Sequence, residues 1–232
     1  MIERYSITAN PGILSERFSL ESADGYEAKY NAAPTHVLPV ITSAAPQGLS
    51  FFYWGTSPEW SKNKTPAEKI INTRKEFFDD KPALKRALKR ARCILPADGF
   101  YAWKKVGKKT AIPYRFVMHS KEMFSIAGMW EEYEDTEGDL IQTFTMITLP
   151  ANSVVETVTE RMPAILLKSD EEGWLNNDAN EDELLALIKP VPENILNHYP
   201  VTPGISNITQ NLPSMITATP PADQHGNLTL FD

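Results

Sequence analysis

Few side chains in this 232-residue chain have the type and spacing to act as nucleophile, acid–base group or metal ligand. Cys93 is the single cysteine, which leaves neither an internal disulfide nor a multi-cysteine metal site. It lies in RCILP, a run of strand composition, so an inert core thiol is the expected reading and a substitute nucleophile the lesser one. His36, His119, His198 and His225 are scattered without helical or hairpin ligand spacing, and no metal is expected. No GxxxxGK[ST], GxGxxG or GxSxG motif occurs, which removes those nucleotide-binding and hydrolase classes, and no cofactor is expected. What remains is cationic. Between Lys81 and Lys109 ten Lys or Arg meet one acid, Asp98, a net +9 within a chain whose total is −7. The rest of the chain therefore carries −16. Such a segment suits a polyanion. The plainer reading makes Lys85, Arg86, Lys89 and Arg90 the solvated face of an amphipathic helix whose other face is Leu84, Ala87, Leu88 and Ala91.

These groups need a scaffold, and the chain is long enough to bury one substantial core. Hydrophobic residues make up 42% and charged residues 23%, ordinary values for a folded domain. Apolar alternation and β-branched or aromatic enrichment predict strands near Val37–Thr42, Leu49–Trp54, Arg92–Leu95, Phe100–Lys104, Pro113–Met118, Phe124–Ala127 and Thr143–Leu149. Helices are expected at Pro66–Ile71, Pro82–Ala91, Ala151–Val158, Asp170–Leu175 and Asp182–Ile188. Ser169 with Glu172, and Asn180 with Glu183, have capping-box spacing. Strands interrupted irregularly by short helices indicate an α+β fold rather than a doubly wound sheet. One domain over 1–219 is expected, with 220–232 as a loose C-terminal tail. The start, MIERYSITAN, lacks the apolar core of a signal peptide, and no run approaches the roughly 18 residues of a membrane span, so a cytoplasmic location is expected.

Five separated segments then carry a family resemblance: MIERYSI, YNAAPTHVLPVI, WGTSPEW with IINTRKE, RCILPADGFYAWK and TERMPAIL, with shorter echoes in AGMWE and TFTMITLPAN. In this order, over most of the chain, they resemble the SOS response-associated peptidase (SRAP) family. The resemblance implies a single mixed domain with a barrel-like, mainly antiparallel sheet, short peripheral helices and a groove for single-stranded DNA. It implies recognition of abasic sites. In active members the initiator methionine is removed and a cysteine in second place becomes the N-terminus. Its amine and thiol condense with the ring-opened sugar aldehyde to a thiazolidine. An asparagine, a glutamate and a histidine around it position the amine and handle protons.

Carried over residue by residue, the resemblance leaves Asn72 of IINTRKE as the retained asparagine. Where the family has MCGR the chain has MIER, so Ile2 stands for the cysteine and Glu3 for the glycine. Ala102 of GFYAW replaces the glutamate and Thr159 of TERMP the histidine. Nucleophile, acid and base are lost together, which excludes thiazolidine formation and predicts a catalytically impaired relative. A bulky second residue also disfavours removal of Met1, displacing the free amine by one residue, about 3.8 Å of backbone.

For DNA the resemblance points to Arg4, Trp60, Arg74, Arg86 and Arg90, and Arg92 also lies within a matched segment. Guanidinium forks suit phosphate, and Trp60 resembles an aromatic that packs on an unstacked base. The plainer readings are a core role for Trp60, an ion pair of Arg74 with Glu76, and a bracing role for Asn72. Glu3 beside Arg4 should repel phosphate and compete for the guanidinium, so single-stranded or abasic-site DNA is expected as a weakly held partner of a monomer, without membrane association. Two alternatives stand beside this: a residual Schiff-base, AP-lyase activity of the Met1 amine, and a protein-binding scaffold.

Overall fold

Residues 1–55, 71–135, 138–223 and 225–228 are described in a computed structural model of the chain. Among them the strands are β1 (Tyr5–Ile7), β2 (Lys29–Ala32), β3 (Val37–Thr42), β4 (Ala45–Trp54), β5 (Asn72–Arg74), β6 (Arg92–Ala97), β7 (Gly99–Lys105), β8 (Ala111–Met118), β9 (Phe124–Glu134), β10 (Leu140–Pro150), β11 (Arg161–Pro163), β12 (Ile165–Leu166) and β13 (Leu196–Pro200). The helices are α1 (Pro11–Phe18), α2 (Phe77–Asp80), α3 (Pro82–Arg90), α4 (Ser153–Glu156), α5 (Lys168–Leu175) and α6 (Glu181–Leu187). The fold is a single mixed α+β domain. The helix expected at Pro66–Ile71 falls almost wholly outside the described residues.

Five strands close on themselves in the order β4, β3, β6, β9, β10 and back to β4. Only the β10–β4 pairing is parallel, so the barrel is mixed but mainly antiparallel. Closure leaves these five strands few free edges. A second antiparallel sheet runs β13-β8-β7-β1-β2. All six residues of β6 are buried, as expected for a strand covered on both faces. Trp174 of α5 covers it, with Nε1 donating to Cys93 O at 3.0 Å. Across the ladder Gly128 faces Cys93, and a Cβ there would lie 2.9 Å from Sγ, so close strand approach requires glycine.

The long strands follow the expected runs and extend them. Strands β1, β2, β5, β11, β12 and β13 were not expected, since runs of two to five residues carry no measurable period. Asn10 caps α1 by accepting from Ile13 N at 3.0 Å, with Pro11 next. The Asn180–Glu183 capping box forms as its spacing predicts. The Ser169–Glu172 box does not: α5 begins at Lys168, and Ser169 Oγ turns to Asp170. The register of α5 is set from outside, by buried Trp174 and by Glu171, which accepts from Arg17 and Ser125. From Pro220 onward, Ala222 bridges Leu228, and Asp223 accepts from His225 N at 2.9 Å and Asn227 Nδ2 at 3.1 Å. No helix among the described residues is long and apolar enough to cross a membrane.

Arg92 has a structural role. It is 0% exposed, and its guanidinium donates to the carbonyls of Trp174 (2.7 Å), Leu88 (3.2 Å), Lys89 and Asn176 (2.9 Å). These carbonyls belong to the C-terminal ends of α3 and α5, where acceptors lack helical partners and a cation is favoured. The residue clamps two helix ends to the barrel and cannot face a strand of DNA. Arg92→Lys keeps the charge but not the fork, and should cost about 1–3 kcal/mol, read from the denaturant midpoint.

Candidate functional site

The first four residues run into β1, and their positions follow from what holds that strand. Ser6 and Thr8 donate to the Asp98 carboxylate, which also pairs with Arg115 of β8 at 2.7 Å. Tyr5 packs edge-on against Trp54 with ring centroids 5.4 Å apart. Upstream of these anchors Ile2 is 0% exposed and part of the main apolar core. Its carbonyl accepts from Asn72 Nδ2 at 2.7 Å. Asn72 opens β5 and sits opposite Met146 in the parallel β5–β10 pairing, while its Oδ1 is buried without a hydrogen-bond partner.

Tyr101 N donates to Arg4 O at 3.0 Å, continuing the β1–β7 pairing toward the N-terminus. This register sets Ala102 beside the first residues of the chain. Ala102 faces Tyr114 across β8 and is 1% exposed in the same core as Ile2. Thr159 lies half-buried between α4 and β11, with its N–H bonded to Val155 O at 2.9 Å. β11 pairs with Thr148–Pro150 on the opposite edge of β10 from β5. The structure thus gathers Ile2, Asn72 and Ala102, and places Thr159 on the turn flanking the same stretch of β10. Among the described residues no hydrogen bond ties Thr159 to the other three. A methyl, a sec-butyl and a hydroxyl stand at the three substituted positions, and none is an acid, base or strong nucleophile near neutral pH.

Arg4 is only 8% exposed. Its Nη1 donates to Glu3 O at 2.6 Å and its Nε is buried without a partner. Burial draws its pKa down, and the Glu3 charge partly opposes this. The hydrogen bond uses the Glu3 carbonyl, while the Glu3 carboxylate acts on the guanidinium through its charge, in line with the expected competition. Arg74 lies on β5 opposite Thr148. Glu76, expected as its ion-pair partner, is held bidentately by Arg161 at 2.6 and 3.0 Å. That hydrogen bonding keeps the Glu76 carboxyl below its usual range, with Arg74 adding a smaller electrostatic share. Arg161 also reaches Thr148 O at 2.8 Å.

Arg86 and Arg90 stand exposed on α3, where Leu88 alone is fully buried. Trp60 lies outside the described residues. Cys93 is fully buried and burial pushes its thiol pKa upward, consistent with an inert core thiol. Two features escaped sequence reasoning. Arg161 sits inside TERMP, but nothing local pairs it with Glu76, 85 positions away. Asn31 sits inside YNAAP, where a polar residue between apolar neighbours in a strand was the available signal.

A family model described as SOS response associated peptidase (SRAP) matches residues 1–208. The abasic site processing protein YoqW of Bacillus subtilis (strain 168) is 33% identical over 221 residues, spanning 93% of this chain and 99% of its own. The abasic site processing protein HMCES of Xenopus tropicalis is 27% identical over 229 residues, spanning 84% of this chain and 68% of its own. A crystal structure of a Bacteroides thetaiotaomicron protein superposes with a TM-score of 0.80 at 26% identity, covering 93% of this chain and 99% of that one.

Proposed function

The chain belongs to the SRAP family, and from that membership we propose that it binds single-stranded DNA, with abasic sites as its target, without forming a thiazolidine link. The observation that carries this reading is the fully buried Ile2, its carbonyl held by Asn72, with Ala102 beside the same stretch. The groups that position residue 2 persist while those that react are gone. Arg74, Arg86 and Arg90 supply cationic contacts for phosphate, and Arg4, 8% exposed, adds its charge from just below the surface.

The test is binding of a fluorescent single strand by anisotropy over a salt series. Affinity should fall steeply with salt. Arg74→Ala should weaken it several-fold and reduce the log–log slope by about 0.7, the increment for one phosphate contact on a single strand. Absence of binding at low salt sinks the reading. An abasic oligonucleotide should give no denaturant-resistant adduct.

A second reading draws on Met1, which is 44% exposed beside the pinned Ile2. Its amine could condense with an abasic aldehyde as a Schiff base, followed by slow strand scission. Borohydride trapping under excess abasic DNA decides: a trapped adduct lost on N-terminal acetylation supports this activity, and no adduct ends it.

A further inference from the structure

Beside the N-terminal site a pocket of about 390 Å³ opens between β2, the start of β3 and the 207–211 loop, lined by Lys29, Asn31, His36, Val37, Ile208 and Asn211. At its floor Asn31 is 1% exposed, and Nδ2 spends both hydrogens on the carbonyls of Asn207 (2.9 Å) and Gln210 (3.1 Å). Those two bonds fix the amide orientation, because a flipped amide would set its oxygen against two carbonyls. Oδ1 is therefore an acceptor, buried and without a donor. Natural interiors rarely leave such a group unmatched.

The walls differ from the floor. Val37 and Ile208 leave 42% and 41% of their surface exposed, two aliphatic plates at one opening. The rim is cationic. Among the described residues Lys29 forms one ion pair, a loose contact at 3.6 Å with the exposed Glu27 carboxylate. His36 feels both Lys29 and Arg4, and it faces the Ile208 backbone of the loop. The acids nearby are Glu27 and, next to Arg4, Glu3.

Aliphatic surface from Val37 and Ile208 with cations at the rim suits a heterocycle that carries a phosphate. We propose that this pocket takes an unstacked nucleobase of the bound strand against Val37 and Ile208, its phosphate toward Lys29, while buried Asn31 holds the 207–211 loop in place. This rests on the single-stranded DNA reading and adds to it a place where base, rather than backbone, is held.

The experiment uses the full chain and two fluorescent strands of equal length, one natural and one built of tetrahydrofuran spacers, so that the second keeps phosphates and lacks bases. The unaltered protein should bind the natural strand about tenfold more tightly or better, the gain one held base brings. Val37→Ser with Ile208→Ser, both at exposed positions and neutral, should cut the preference for the natural strand by about fivefold or more while spacer-strand binding stays unchanged. Lys29→Ala should weaken both strands alike and lower the salt slope. If the serine variant keeps the full preference for bases, the pocket is overturned and DNA binding stands. If neither strand binds at low salt, the DNA reading fails by itself, and dAMP then probes the pocket alone. A His36 imidazole NMR shift that saturates with dAMP and vanishes in the serine variant supports a nucleotide site; no shift overturns it.

Discussion

Combined replacement Ile2→Cys, Glu3→Gly, Ala102→Glu and Thr159→His should make the protein form a denaturant-resistant adduct with an abasic single strand, where the unaltered chain gives none. The physical case begins with the backbone. Asn72 already holds the carbonyl of residue 2 at 2.7 Å, and the β1–β7 register already sets position 102 beside it. Cysteine in the space of a fully buried isoleucine leaves a small cavity, at a cost of about 1–2 kcal/mol. Glutamate at position 102, which is 1% exposed, enters apolar surroundings that would overpack by itself at about 1–3 kcal/mol. The cavity from one change accommodates part of the volume added by the other, so the combination should be less destabilising than the separate costs imply. Desolvation there also raises a carboxyl pKa, which suits it to deliver a proton near neutral pH. Gel mobility after denaturation reads the adduct, and mass spectrometry shows whether Met1 has been removed. A combined variant that folds, binds DNA and exposes its N-terminal cysteine yet forms no adduct would show that more than these positions separates it from an active site.

Asp98→Ala should be among the most destabilising single changes, about 3–5 kcal/mol. The Asp98 carboxylate accepts from Ser6 Oγ (2.6 Å), Thr8 N (2.5 Å), Thr8 Oγ1 (2.6 Å) and Arg115 Nη2 (2.7 Å). Arg115 completes its own bonding with Ser6 Oγ at Nε (3.2 Å) and Tyr199 OH at Nη1 (2.8 Å). Burial alone would depress the Arg115 pKa; Asp98, with Tyr101 and Tyr199, holds it up. Removing Asp98 strands that cation in the interior and frees β1, so a urea midpoint should fall sharply and single-strand binding should weaken with it. Asp98→Leu with Arg115→Met removes both charges and should recover the part of the loss that comes from the stranded cation, while Ser6 and Thr8 still lack their acceptor. If the double variant is as unstable as Asp98→Ala, the stranded charge is not the cause. Gly99 belongs to the same network: a Cβ there would stand 2.6 Å from Arg115 Nε.

Read alone, the chain determined its family and its α+β class, and through the family resemblance a barrel-like sheet. All of these rest on residue identity in order, and on apolar runs long enough to show a period. The Asn180–Glu183 cap was legible because both partners lie within one helical turn. The tertiary structure decided everything that depends on partners far apart in sequence. It made Arg92 a clamp on two helix ends, and it gave Glu76 to Arg161. It moved the start of α5 away from the Ser169 cap by anchoring Glu171 and Trp174 elsewhere. It left Asn31 Oδ1 without a donor at the floor of a pocket whose opposite wall is about 180 residues away in sequence, and Asn72 Oδ1 unpaired beside Ile2. An arginine's chemical character is written in its side chain, but which acceptors are unsatisfied around it emerges only when strands and helix ends meet. For that reason residue types could be read from the letters alone, while the partners around each of them had to be read from the fold.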